Sequence, residues 1–317
     1  MQAIEASGLV KQYKNGVRAL DNLNFTVKAG EVFSLLGQNG AGKSTLINIL
    51  TTYLSPTSGS INLLGRDINR EAGFIRSQIA CVAQKITIDM HLSLAENMIF
   101  QGRLHKVESA VIKDRMKNLT ERFGLEQYLE YPVNSYSGGV KRRLDIAMNL
   151  MSNPKILFLD EPTVGMDIQS RIAMWDMVKK IREDFGTTIF LTTHYLEEAD
   201  LLSDTICIIK NGHEIVQAPP DALRHYIRQD VLRLGFDSES QAKECEMKLK
   251  EKFKINSIDI KSSSILLHVN NPKEVFVDVN RWLLEQQIDF LAIEIIQPSL
   301  DDVFLNLTKA DRKEEEI

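Results

Sequence analysis

The chain has 317 residues, 44% of them apolar, which is enough to fill a sizeable core and incompatible with disorder throughout. Lysine and arginine number 38 against 43 aspartates and glutamates, a net charge of −5, so the basic excess that a grip on nucleic acid requires is missing. Met1–Tyr13 has no apolar core of signal-peptide type, and the longest uncharged stretch, residues 44–65, is too rich in Ser, Thr, Asn and Gly to span a membrane. Cys81, Cys207 and Cys245 lie far apart, with Cys81 read as a small buried hydrophobe, and the six histidines show no ligand spacing. The expectation is a cytosolic chain without disulfides or structural zinc.

In chain order, Val32–Leu36 is an apolar run that enters a glycine-rich turn, and Lys43–Thr52 follows with helical spacing. Ile79–Val82 is a second short strand. About 85–152 is a helical insertion, with helices expected at Leu94–Leu104, Val111–Phe123 and Val140–Met151. Within it, Lys141-Arg142-Arg143 reads as a solvated helix face. Strands return at Ile156–Leu159, Thr188–Leu191 and Thr205–Ile209, alternating with helices, which predicts a mostly parallel sheet covered on both faces. Residues 1–228 therefore read as one α/β domain and 229–317 as a smaller α+β domain. The second has strands at Val231–Leu234, Ile255–Ile260, Ser264–Val269 and Phe290–Ile296, and helices at Glu239–Lys252 and Lys273–Gln287. That β-α-β-β-α-β order is ferredoxin-like. A last short helix is expected from Pro298, and Lys309–Ile317 reads as a charged tail.

Gly37-Gln38-Asn39-Gly40-Ala41-Gly42-Lys43-Ser44 fits the pattern GxxxxGK[ST] between a strand and a helix. Backbone N–H groups of such a loop turn inward around phosphate oxygens, and the helix N-terminus adds partial positive charge. Lys43 reaches the β- and γ-phosphates, Ser44 offers a hydroxyl to Mg2+, and Thr45 adds a phosphate contact. Ile156–Leu159 runs into Asp160 and Glu161. In this setting Asp160 holds the magnesium shell and Glu161 polarises a water aimed at the γ-phosphate. ATP and Mg2+ are the implied ligands.

Further features fall in a fixed order: Gln84 after the second strand, Ser137-Gly138-Gly139 opening a helix, Asp167 after the acidic pair, and His194 after a strand. Together they resemble the ATP-binding-cassette (ABC) ATPase subunits of transporters. Tyr136-Ser-Gly-Gly-Val140 and Val164-Gly-Met-Asp167 depart from the commonest family pattern and are similar to the branch that powers drug, antibiotic, lipid and ion exporters. Val140 in place of the usual glutamine removes a polar contact and keeps the Ser-Gly-Gly core.

The resemblance implies that Tyr13 stacks on adenine, that Gln84 touches magnesium or the attacking water, and that His194 bonds the γ-phosphate. It also implies that Ser137, Gly138 and Gly139 bind the γ-phosphate held by an opposite subunit, with Asp167 linking the two sites. The implied partners are a second copy or a homologous ATPase subunit, and a multi-span permease that holds this chain at the cytoplasmic face of a membrane. Residues 84–100 and the helical insertion are expected to form the dock for a cytoplasmic helix of the permease. An importer ATPase or a soluble non-transport ABC ATPase is the alternative. An unrelated phosphate-loop kinase or GTPase leaves Ser137–Gly139 and His194 unexplained.

Overall fold

The structure is a computed structural model that describes residues 1–224, 230–253, 257–269, 272–296, 300 and 304. It forms two compact units, Met1–Pro220 and Asp221–Ile317.

The first unit opens with two long strands, β1 (Gln2–Gln12) and β2 (Arg18–Lys28). Strand β3 (Val32–Leu36) follows, buried along its whole length, and leads into helix α1 (Lys43–Leu50). Next come β4 (Ser58–Leu63), β5 (Arg66–Asp67), α2 (Ala72–Gln78) and β6 (Ile79–Val82). Strands β1, β2, β4 and β5 make a separate antiparallel sheet, in the order β2-β1-β4-β5. This antiparallel sheet was not among the expected elements. In β2 the signal is an alternation: Leu23, Phe25 and Val27 are buried, and Asn24, Thr26 and Lys28 are exposed.

The helical insertion consists of α3 (Leu94–Leu104), α4 (Ser109–Phe123) and α5 (Gly138–Leu150). Ser93 and Glu96 close a capping box that starts α3. Leu94, Met98, Ile112, Leu119, Phe123, Leu144 and Met148 bury its apolar faces. The chain then adds β7 (Ile156–Asp160), α6 (Ile168–Phe185), β8 (Thr188–Thr193), α7 (Leu196–Leu202), β9 (Thr205–Lys210) and β10 (His213–Ala218).

The main sheet runs β10-β9-β3-β8-β7-β6, parallel except for the edge strand β10. Phe25, Phe33, Phe158 and Phe190 fill one core, with ring centroids 5.1–6.0 Å apart. Register aligns Leu36 with Thr193 and Asp160 with Thr192. The residues after β3, β6, β7 and β8 therefore leave one edge of the sheet, the carboxyl end, where ligands of open α/β sheets bind.

Helix α8 (Pro220–Arg224) spans the division between the units. The second unit contains β11 (Asp230–Gly235), α9 (Glu239–Lys252), β12 (Ser257–Lys261), β13 (Ser264–Val269), α10 (Pro272–Glu285) and β14 (Ala292–Ile296). Its antiparallel sheet has the order β12-β13-β11-β14, over a core that includes Leu232, Leu234, Phe236, Leu249, Ile265 and Leu283. A β-α-β-β-α-β chain folded in the ferredoxin-like way gives that strand order. The helix expected from Pro298 and the tail at 309–317 lie outside the described residues.

Candidate functional site

A backbone angle and a close approach at Gly42 fix the loop between β3 and α1. Gly42 sits at φ 108°, and a Cβ there would come within 2.5 Å of the Ala19 carbonyl. Only glycine meets both conditions. No side chain caps α1, so its first-turn N–H groups are left for an anion. Lys43 is 5% exposed, and its Nζ donates to the carbonyls of Gly37 at 2.8 Å and Gln38 at 3.3 Å. Gln38, Asn39, Gly40, Ser44 and Thr45 line a cleft of about 500 Å³ together with Gln84, Glu161 and His194. Ala41 is buried beside it. Tyr13 stands nearby, with its hydroxyl 3.2 Å from Oγ1 of Thr45 and its ring partly exposed.

Glu161 is the hub of the cleft. Its Oε1 lies 3.3 Å from Lys43 Nζ and 3.5 Å from His194 Nδ1, and its Oε2 accepts from Gln84 Nε2 at 3.4 Å. Side chains from four segments between Lys43 and His194 thus meet at one carboxylate. Glu161 also has φ 46°, which for a non-glycine residue stores strain of about 1–3 kcal/mol. Its backbone N–H, donating at 3.1 Å to both the carbonyl and the hydroxyl of Thr192, holds that turn. Asp160 lies one residue back, its Oδ1 accepting from the Thr192 hydroxyl at 2.6 Å. Burial, and then the adjacent Glu161, pushes its carboxyl above the usual range, while Thr192, Lys43 and Arg142 pull the other way.

Ser137 is the N-cap of α5, its hydroxyl accepting from the Val140 N–H at 3.4 Å. Ser137, Gly138 and Gly139 do not line the phosphate-loop cleft. They line a second cavity of about 300 Å³, shared with Gln84, Glu161 and Asp167. Gly139 is pressed so closely on α6 that a Cβ would come within 2.6 Å of Ser170 Oγ. Asp167 caps α6, accepting from the Ser170 N–H and hydroxyl, and those bonds hold its carboxyl below the usual range. Tyr136 is buried and donates to the carbonyls of Tyr128 and Tyr131. Val140 is buried in the core of the insertion.

Some expectations require correction. Arg142 is not on a solvated face: it is 3% exposed and donates to the carbonyls of Ala83, Asp160 and Pro162. Three backbone acceptors behind the acidic pair draw the guanidinium inward. Cys81 is only partly buried, although burial, and then the nearby Asp160, pushes its thiol up to about 12. In the segment expected to dock a permease, Ile88 and Met98 are core residues, and Phe100 is 60% exposed. The sequence reading also passed over Glu198. It is buried, and its Oε1 accepts from the Thr163 hydroxyl at 2.8 Å and from Trp175 Nε1 at 3.2 Å, bracing the segment behind Glu161.

Comparisons with known proteins point to one family. The family profile described as ABC transporter matches residues 20–164. The chain is 38% identical, over 97% of its length and 92% of the relative's, to the daunorubicin/doxorubicin resistance ATP-binding protein of Streptomyces peucetius. It is 32% identical, over 98% and 95%, to a Nod factor export ATP-binding protein of Ralstonia nicotianae. Among solved structures, it resembles an ATP-binding cassette captured as a dimer in a post-hydrolysis state with ADP and phosphate bound. That match has a TM-score of 0.61 and 27% identity, and covers 68% of this chain and 98% of the other.

Proposed function

The chain belongs to the ATP-binding-cassette transporter ATPases, and from that premise we propose that it is the ATP-hydrolysing subunit of an exporter, acting as a head-to-tail dimer. The observation that carries this reading is the convergence of Lys43, Gln84 and His194 on the strained Glu161, at the open end of a phosphate loop. Resistance to an antibiotic and export of a signal molecule are what the relatives' names describe, which favours export over import.

In this reading Lys43 and the loop amides bind the β- and γ-phosphates, and Tyr13 stacks on adenine. Glu161 accepts the proton of the attacking water, while Gln84 and His194 orient that water and the γ-phosphate. Ser137, Gly138 and Gly139 complete the site of the neighbouring subunit, and Asp167 links the two. Their placement on a cavity outside the phosphate-loop cleft supports this division of labour. Ser44, Asp160 and Gln84 are the residues that would hold Mg2+. Their hard oxygen donors fit the ion, and Asp160 is a partly desolvated carboxylate beside a second one, a position that a cation relieves. Among the described residues no three His, Cys, Asp or Glu side chains gather as a metal site, so the remaining ligands would be phosphate and water oxygens. When bound, the ion would neutralise charge developing on the transferred phosphoryl group.

Among the described residues no helix is long and apolar enough to cross a membrane. We assign the crossing to a separate multi-span permease, which would hold this chain at the cytoplasmic face. Phe100 and Leu104, 60% and 63% exposed and four residues apart on α3, form one apolar face for a cytoplasmic helix of that permease. Phe100→Ser is expected to abolish co-purification with the membrane protein encoded beside this one and to stop export, while ATP hydrolysis by the isolated chain stays at the parental level. Parental co-purification and export by this variant would move the dock elsewhere.

A further inference from the structure

Arg142 lies on the helix that Ser137 opens, yet its guanidinium points into the protein. Nε donates to the Pro162 carbonyl at 3.3 Å, Nη2 to the Asp160 carbonyl at 3.1 Å, and Nη1 to the Ala83 carbonyl. The choice of carbonyls is specific. Asp160 and Pro162 stand on either side of Glu161, and Ala83 immediately precedes Gln84. One turn further along α5, Asp145 is 1% exposed and lies 3.6 Å from Arg142 Nη1. Arg142 therefore holds the residue before Gln84 and grips the Glu161 turn on both sides.

A rigid, always-charged fork with five donors suits three fixed carbonyls in a way that a flexible ammonium does not. The gripped turn is the one that holds Glu161 at φ 46°. A residue kept in a sparsely populated conformation persists only when its surroundings over-determine it. Thr192 restrains that turn from the β8 side, and Arg142 restrains it from the α5 side.

We propose that Arg142 is a positioning residue for hydrolysis: it ties Glu161 and Gln84 to the helix that opens at Ser137, so that engagement of Ser137 with a neighbouring nucleotide is transmitted to the chain's own attacking water. The transmission step rests on the shared-site reading above; the positioning of Glu161 and Gln84 does not.

The test uses the full chain, as the parent, as Arg142→Lys, and as Arg142→Gln combined with Asp145→Asn, which leaves neither charge buried alone. ATP affinity by calorimetry, the thermal midpoint, kcat and the shape of the ATP dependence are measured. The double variant is expected to bind ATP within roughly threefold of the parent while kcat falls roughly ten- to a hundredfold, the cost of a misplaced catalytic group. Its ATP dependence should lose the sigmoidal shape that a shared site predicts for the parent, and Arg142→Lys should fall between the two. A folded double variant, or a folded Arg142→Lys, with parental kcat overturns the proposal. So does a loss of kcat that only follows a parallel loss of ATP affinity and thermal midpoint. Lower kcat with unchanged sigmoidality overturns the transmission step. A parent with a hyperbolic ATP dependence and no dependence on protein concentration counts instead against the shared-site reading, and kcat then judges Arg142 by itself.

Discussion

Glu161→Gln is expected to leave ATP binding intact and to slow hydrolysis roughly 10²–10⁴-fold, the usual contribution of a positioned general base. The amide keeps the shape of the side chain and can still bond Gln84 and His194, but it cannot take a proton from water. It also leaves Lys43 Nζ, now 3.3 Å from a carboxylate oxygen, without its anionic neighbour. That cation is then free to serve the phosphates, so affinity should hold or rise. ATP should accumulate unhydrolysed on a stable dimer, visible by size-exclusion chromatography. Hydrolysis within about threefold of the parent, measured in the steady state, would remove Glu161 from the base role.

Lys43→Ala is expected to act earlier, on binding. Lys43 is 5% exposed and spans from the loop carbonyls of Gly37 and Gln38 to Glu161. Removing a desolvated cation from under two phosphates costs about 2–5 kcal/mol, with the phosphates left unpaired. In Kd this is about 30-fold or more. Calorimetry with ATP checks it, and parental affinity would contradict the phosphate role of Lys43.

The parts of the site that are local in sequence were legible there. The phosphate loop reads from its spacing because its chemistry is backbone chemistry: glycines, one lysine and a helix start must be contiguous. Asp160 and Glu161 read from an apolar run that ends in two acids. Other features depend on distant partners, and the sequence carries them weakly. Arg142 looks solvated in Lys141-Arg142-Arg143, since the carbonyls that bury it lie 18, 20 and 59 residues away. Strand β2 alternates from Leu23 onward, but its partner β1 pairs with repeated register shifts, so buried positions in β1 do not alternate and the strand signal is lost. Met98 and Phe100 are near neighbours of similar hydropathy, and only the phase of α3 sends one into the core and the other outward. Glu198 had no signal beyond one acid among several on α7; the hydrogen bonds from Thr163 and Trp175 appear only once α6 packs against α7.

The proposed catalytic site is divided between two chains, with Glu161 from one and Ser137 from the other, and mixing Ser137→Ala with Glu161→Gln puts that division to the test. Each variant alone has two defective sites per dimer. A mixed dimer has one intact site, which combines Glu161 of the first chain with Ser137 of the second. Equal mixing under conditions that allow exchange should therefore restore up to roughly a quarter of the parental hydrolysis rate, because random pairing makes half of the dimers mixed and each has one complete site of two, with less where that site's water also depends on the mutated Ser137 of its own chain. A mixture no more active than the average of the two separate variants would contradict the shared site.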